Sequence, residues 1–157
     1  MLGIPESIIV DTAKVEVTRA PNKLLALGIG SCTVITFYDC TLKIGAMAHT
    51  MLSDSTKYGL TSDPFKFAAL AIDEIIKRMS LLGSKKQNLE AKIFGGANMF
   101  PTLRGDSLRT GENNVLAVKE KLRKEGITLV GEVVGGSVGR SVEFDTATGL
   151  VTVSIKI

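Results

Sequence analysis

The first third of the chain holds four short strand-like segments in quick succession, and this density of strands limits the fold more than any other feature. Turn residues such as Pro21, Asn22 and Asp39 separate the segments. Short runs rich in β-branched residues and bounded by Pro, Asn and Asp are typical of strands. We therefore expect neighbouring strands joined by tight connections over four ranges: 13–19, 23–29, 33–38 and 43–49.

Two helices are predicted further along the chain. Asp63 and Pro64 are suited to cap and begin a helix that continues to about residue 82, and Gly83 is suited to end it. Residues 113–125 form the second helix, which ends at Gly126. Helical spacing assigns the apolar face of the first helix to Phe65, Ala68, Ala69, Ile72, Ile75, Ile76 and Met79, and that of the second to Val115, Leu116, Val118 and Leu122.

The rest of the chain again consists of strand-like segments. Strands are predicted at 90–96 and 127–136, and a terminal hairpin at 139–157 turns around residues 146–149. Two helices against seven or eight strands favour an α/β (α+β) fold of packed mixed β-sheets flanked by two or three helices. No repeat or linker divides the sequence, so residues 1–157 are expected to form a single domain.

Composition excludes several classes of function. Of the 157 residues, 45% are hydrophobic and 22% charged, which favours a globular protein over a disordered one. The net charge is +3, but no aromatic residues interleave the basic groups, so nucleic-acid binding is disfavoured. A single histidine and two cysteines without clustered spacing predict no metal and no cofactor. Neither a signal peptide nor an apolar run long enough for a membrane span is present, so we expect a cytoplasmic protein without membrane insertion.

A cysteine follows a glycine-containing turn at the start of the third strand, in the motif "GSC" that ends at Cys32. If residues 39–42 form the loop to the fourth strand, Tyr38 faces Lys43 and Cys32 lies directly across from His49. Cβ atoms of such pairs are about 5 Å apart. The same register collects other side chains into a core on the opposite face: Ile35, Phe37, Ile44 and Ala46.

This apposition admits two interpretations. An imidazolium beside Cys32 would lower the thiol pKa, His49 would protonate a leaving group, and backbone N–H groups of the "GSC" turn would hold an oxyanion. Free cysteines are also common as small buried hydrophobes, and a lone histidine is often structural. For Cys40 we keep the structural interpretation. The residues themselves leave both interpretations open for Cys32.

The chain resembles the CheD family of bacterial and archaeal chemotaxis proteins, the chemoreceptor glutamine deamidases. The resemblance extends from about residue 14 to the C-terminus and rests on four sequence blocks in order. These blocks are "LGIGSC" (27–32), "IGAMAHTMLSDS" (44–55), "AKIFGGANMF" (91–100) and "GGSVGRSVEFDTATG" (135–149).

The resemblance implies an enzyme, a protein-glutamine glutaminase that converts receptor glutamines to glutamates and has related action on glutamate methyl esters. It implies Cys32 as nucleophile, His49 as general base and acid, and a γ-glutamyl thioester intermediate. The implied fold is similar to the catalytic domain of cytotoxic necrotizing factor toxins. The implied partners are the cytoplasmic domain of methyl-accepting chemoreceptors and a CheC-type phosphatase.

Two positions depart from the family pattern. Ala26 stands where the family commonly has a threonine whose hydroxyl orients the histidine, and Asn113 stands where an arginine often precedes Asn114. A methyl group cannot orient an imidazole, so we expect a backbone carbonyl, another side chain or water in that role. Alternative functions are a regulatory binding module that acts on a CheC-type phosphatase or the receptor, and a different cysteine enzyme, a protease or acyltransferase.

Two further groups of residues have a structural and a functional interpretation. The paired glycines are expected to serve tight turns and close backbone packing rather than substrate contact. The arginines are interpreted as solvated, with contact to acidic receptor helices as the alternative. The glycines are Gly95, Gly96, Gly135 and Gly136, and the arginines are Arg104, Arg109 and Arg140.

Overall fold

The structure, a computed structural model, describes residues 3–53, 63–100 and 109–155. These residues form nine strands and two α-helices, with short 3₁₀ turns at Pro64–Lys66 and Lys86–Asn88. The helices are α1 (Ala68–Leu81) and α2 (Thr110–Glu125). The strands are β1 (Ser7–Ile9), β2 (Lys14–Arg19), β3 (Lys23–Ile29), β4 (Thr33–Asp39), β5 (Ile44–Thr50), β6 (Leu89–Gly95), β7 (Thr128–Val134), β8 (Arg140–Asp145) and β9 (Val151–Ile155).

The strands form two sheets that pack in three layers with the helices. One sheet has the order β1-β3-β8-β9 and the other the order β2-β5-β4-β6-β7. One apolar cluster joins the two sheets, and a second lies between the five-stranded sheet and both helices. The predicted α+β architecture of packed mixed sheets with flanking helices is confirmed, and β4 and β5 lie in the middle layer.

Burial on both faces explains the composition of the central strands. Every residue of β5 is buried, and β4 is buried except at Tyr38. In a strand that is covered on both faces, successive side chains must be apolar or, if polar, hydrogen-bonded. A strand covered on one face needs this only at every second position. His49 therefore lies in a layer where a polar side chain needs a hydrogen-bond partner.

Both helices lie in the predicted regions, but α1 begins at Ala68 rather than at Pro64, because Pro64–Lys66 form a separate 3₁₀ turn and Phe67 is extended. The predicted start at Asp63 and Pro64 is therefore wrong.

In α1, Ala71 is buried whereas Ala69 is exposed. Helix α2 begins at Thr110, three residues earlier than predicted, and ends as predicted at Gly126, which has a φ of +69°. Leu116 is 58% exposed, so it does not belong to the buried face. That face instead includes a polar residue near the start of the helix, Asn114.

Strand β1 has no counterpart in the sequence prediction, because three residues are too few to show a period. It pairs in parallel with β3. The chain then continues through Val10, whose N–H donates to the Leu25 carbonyl at 2.7 Å, and reaches β5, where the Ala13 N–H donates to the His49 carbonyl at 2.7 Å. The N-terminal segment thus runs alongside the strand that carries His49. Within the described ranges, no helix is long and apolar enough to cross a membrane.

Candidate active site

The pairing of β4 with β5 differs from the predicted register by two residues. His49 lies opposite Val34, and Thr33 lies opposite Thr50. The connection covers residues 40–43 instead of 39–42. The prediction that Cys32 lies directly across from His49 is therefore wrong.

The side chain of Asp39 explains where the turn begins. Its Oδ1 accepts hydrogen bonds from the N–H groups of Thr41 and Leu42 at 3.0 and 3.1 Å. Lys43 closes the turn with a φ of +53°. Asp39 also pairs with Ile44 as the last rung of the hairpin, so the aspartate belongs to the strand and not to the loop.

A shift by two residues leaves every side chain on its predicted face, because the side-chain period of a strand is two. Ile35, Phe37 and Ala46 contribute to the core under the helices, as expected. Cys32, one residue before β4, packs against the cluster between the two sheets. His49 lies near the end of β5 opposite Val34, two residues after Cys32, so strand periodicity directs its side chain to that same face of the sheet.

His49 is held by the backbone of the N-terminal segment. The ring is buried, with 6% of the residue exposed, and its Nδ1 lies 3.1 Å from the Val10 carbonyl oxygen. A carbonyl can only accept, so Nδ1 carries the proton and Nε2 of the neutral ring is left as an acceptor. Ala26 is fully buried opposite Val142. The Val10 carbonyl therefore orients the imidazole in this chain, one of the replacements expected for the missing threonine hydroxyl.

The electrostatic setting of the two side chains favours their neutral forms. Burial lowers the pKa of His49, and the Val10 carbonyl and the Asp11 carboxylate oppose that effect. Burial raises the pKa of the Cys32 thiol. Desolvation disfavours both charged forms, so burial acts against the lowering of the thiol pKa that an adjacent imidazolium would cause.

Three successive carbonyl groups of the "GSC" turn accept hydrogen bonds from two other segments. The Gly30 carbonyl accepts from the Ala97 N–H at 3.0 Å, and the Cys32 carbonyl accepts from the Gly96 N–H at 2.8 Å. Between them, the Ser31 carbonyl accepts from the Asn114 side-chain amide at 3.0 Å. The backbone on both sides of the Cys32 side chain is thereby held in one orientation.

The glycine pairs bring these segments together, which confirms their predicted role in tight turns and close packing. Gly95 and Gly96 have φ values of +101° and +64°, and Gly135 and Gly136 have values of +81° and +73°. The Gly135 N–H donates to the Gly95 carbonyl at 2.9 Å. A Cβ atom on Gly95 would overlap the Cys32 carbonyl oxygen. The close approach to the cysteine turn therefore requires glycine at position 95.

Substitution of Gly95 by alanine is expected to destabilise the protein and displace the Cys32 backbone. A side chain at this positive φ costs about 1–3 kcal/mol before any steric overlap is counted. Chemical denaturation should show the loss in free energy of unfolding. Gly126→Ala is the matched control, since Gly126 also has a positive φ but a Cβ there would have no neighbour within 4 Å. Equal destabilisation by both substitutions would contradict the proposed overlap.

The arginines do not behave as one group. Arg140 is only 5% exposed, and its guanidinium donates to the carbonyl oxygens of Val133, at 2.7 Å, and Gly135. Arg140 is therefore a buried anchor of the glycine turn, and the interpretation of this residue as solvated or receptor-facing is wrong. Arg109 is exposed, as expected, and Arg104 lies outside the described residues.

The remaining groups add no ligand set to the site. Cys32 and Cys40 are free thiols, the first partly buried and the second exposed. Cys40 lies in the β4–β5 turn, so it is not the buried hydrophobe that the structural interpretation assumed. Across the three described ranges, no group of three or more His, Cys, Asp or Glu side chains is placed to hold a metal ion.

A cysteine in a backbone-bonded turn and an oriented histidine on the same sheet face are the parts that cysteine hydrolases use. The family model described as "CheD chemotactic sensory transduction" matches residues 51–155, more than half of the chain. The chain belongs to the CheD family. The matched range begins after both Cys32 and His49, so the family-model match itself does not include these two residues.

Curated relatives extend the similarity over most of the chain. The chain is 42% identical over 147 residues to the probable chemoreceptor glutamine deamidase CheD of Clostridium botulinum strain Hall, covering 93% of this chain and 91% of the relative. It is 41% identical over 150 residues to the protein of the same name from strain Eklund 17B, with the same coverage.

A solved structure shares the fold. The crystal structure of the Bacillus licheniformis hypothetical protein YfiH matches with a TM-score of 0.51 and 13% identity. The match covers 78% of this chain and 51% of that protein, so this chain spans about half the length of YfiH. At this identity the likeness extends to the fold alone.

Proposed function

We propose that the protein is a chemoreceptor glutamine deamidase in which Cys32 is the nucleophile and His49 the general base and acid. The observation that carries the proposal is the hydrogen bond from His49 Nδ1 to the Val10 carbonyl. It leaves Nε2 as a base on the face of the sheet that also holds Cys32. Membership of the CheD family, with relatives named as probable deamidases, supports the choice of substrate.

The reaction begins with transfer of the Cys32 thiol proton to His49 Nε2 while the sulfur attacks the side-chain carboxamide carbon of a receptor glutamine. A tetrahedral intermediate forms, and its oxygen carries the negative charge. His49 then gives the proton to the leaving nitrogen, and ammonia departs from a γ-glutamyl thioester. Water, deprotonated by His49, hydrolyses the thioester to glutamate and restores the thiol. Hydrolysis of a glutamate methyl ester would follow the same steps with methanol as leaving group.

The proposed setting is chemotaxis adaptation in the cytoplasm, with residues 1–157 acting as one domain. The cytoplasmic domain of a methyl-accepting chemoreceptor is the substrate, and a CheC-type phosphatase is a further partner. A regulatory binding module was the alternative suggested by Ala26. The contact between His49 Nδ1 and the Val10 carbonyl gives the imidazole an orienting partner without a hydroxyl at position 26, which supports the enzyme over that alternative.

Incubation with a receptor cytoplasmic domain, followed by peptide mass spectrometry, tests the proposal. Conversion of particular glutamines to glutamates, seen as the mass gain when a carboxamide NH₂ becomes OH, is the expected result. Unchanged glutamines together with intact phosphatase binding would favour the binding module. Cleavage of the receptor chain would indicate a protease.

The acid side of the pH profile is expected to depend on Asp11. His49 must be neutral to accept the thiol proton. Because burial lowers its pKa below the ordinary 6.5, kcat/KM should begin to fall only at a pH below 6.5. The Asp11 carboxylate raises the His49 pKa. Asp11→Asn should therefore move the acid limb of kcat/KM to still lower pH.

The matched control for this profile is Glu120→Gln, which removes a carboxylate from the exposed side of α2. It should leave the acid limb in place. Movement of the limb to higher pH in Asp11→Asn would contradict the assignment of that limb to His49.

A further inference from the structure

Asn114 connects the cysteine turn to the strand of His49. The residue lies near the start of α2 with 1% of its surface exposed. Its Nδ2 donates to the Ser31 carbonyl at 3.0 Å and to the Met51 carbonyl at 3.1 Å. Ser31 immediately precedes the cysteine, and Met51 is two residues after the histidine. We call this pair of hydrogen bonds the Asn114 bridge.

The bridge determines the direction of the Cys32 amide. The Ser31–Cys32 peptide bond is trans, so its carbonyl and its N–H point in opposite directions. Since Asn114 holds the Ser31 carbonyl toward α2, the Cys32 N–H is directed away from α2. The Gly30–Ser31 peptide bond is also trans, and its carbonyl accepts a hydrogen bond from the Ala97 N–H. The Ser31 N–H is therefore directed away from Ala97. Among the described residues, neither N–H donates to a backbone carbonyl.

Helix α2 packs closely against the segment that binds the cysteine turn, and this packing depends on a glycine in the helix. A Cβ atom on Gly111 would lie 2.6 Å from the carbonyl oxygens of Gly96 and Ala97, so the helix reaches these carbonyls only because residue 111 is glycine. Asn114 Oδ1 is buried and has no hydrogen-bond partner within the described part of the chain. An unpaired buried oxygen lowers stability. Stability alone therefore does not explain the amide at this position.

We propose that Asn114 is a positioning residue that orients the Cys32 N–H to donate to the oxyanion of the tetrahedral intermediate. The proposal rests on the proposed function for its natural substrate, but the orientation can be tested without that substrate. Asn114 acts through the Ser31–Cys32 peptide and does not itself touch the reacting atoms. Loss of one oxyanion donor typically lowers kcat by about 10²–10³-fold.

Two reagents separate oxyanion stabilisation from thiol access. Acylation of Cys32 by p-nitrophenyl acetate passes through a tetrahedral oxyanion and releases nitrophenolate, whereas alkylation by iodoacetamide displaces iodide and forms no oxyanion. Peptide mapping assigns both products to Cys32 rather than Cys40. In Asn114→Ala, acylation should fall by about 10²-fold, with alkylation within about threefold of wild type. Deamidation of a receptor fragment should lose kcat with little change in KM.

Asn113→Ala is the matched control, because the neighbouring asparagine is exposed on the same helix. It should leave both reactions unchanged. If Asn114→Ala does not fold, Asn114→Leu keeps the branched shape of the side chain without adding a charge, removes both N–H donors and carries the same expectation.

The outcomes distinguish the two proposals. Equal losses of acylation and alkylation, or no loss of either, would overturn the positioning role, since the first indicates a disordered turn and the second a dispensable bridge. A selective loss of acylation in Asn114→Ala, with no glutamine deamidated by the wild type, would uphold the positioning role and refute the deamidase.

Discussion

Replacement of Cys32 by alanine is expected to abolish glutamine deamidation without unfolding the protein. The thiol is the proposed nucleophile, and removal of a nucleophile from a covalent mechanism lowers kcat by at least about 10⁴-fold. The side chain is only partly buried at the edge of the cluster between the sheets. The measurement is mass spectrometry of receptor peptides, with thermal unfolding of the variant as the check on its fold.

Cys40→Ala is the matched control for this substitution. Cys40 is the other free thiol, exposed in the β4–β5 turn. The control should keep wild-type deamidation. Activity that survives in Cys32→Ala, or disappears in Cys40→Ala, would place the nucleophile elsewhere.

Replacement of His49 by asparagine is expected to remove the base while preserving the hydrogen bond that holds it. Asparagine Nδ2 can replace imidazole Nδ1 as donor to the Val10 carbonyl, but it has no group that accepts the thiol proton. Deamidation should fall by about 10²–10⁴-fold, the usual contribution of a general acid–base. The free energy of unfolding should stay near that of wild type.

His49→Ala is the companion variant. It should lose the same activity and also destabilise the fold by about 1–3 kcal/mol, because the buried Val10 carbonyl loses its donor. Denaturant unfolding of both variants separates the two effects. Equal stability of the alanine and asparagine variants would argue against the bond to Val10, and retained activity in both would refute His49 as the base.

Local patterns in the sequence predicted most of the elements. Alternation and turn residues located β2 to β5, and Gly126 marked the end of α2. The register of β4 and β5 was the main error, because loop length depends on which residue closes the turn. Asp39 accepts hydrogen bonds from two N–H groups of the turn and also pairs with Ile44 in the hairpin. The spacing of residues in the sequence does not reveal this dual role.

The groups that hold the site come from distant parts of the chain. Val10 is 39 residues from His49 in sequence, and Asn114 is 83 residues from Ser31. Neither residue has a pattern that marks its role, since one acts through its carbonyl and the other is an asparagine beside another asparagine. Arg140 is similar, because its burial against the glycine turn depends on how β7 and β8 meet.

The sequence by itself determined that Cys32 and His49 share one face of one sheet. That result survives a register error of two residues because side chains alternate with a period of two along a strand. Tertiary structure decided which His49 nitrogen carries the proton, which backbone carbonyl holds the imidazole, and which way the Cys32 amide points. Each of these depends on a hydrogen bond between segments far apart in sequence, and such bonds form only once the sheets and α2 have packed.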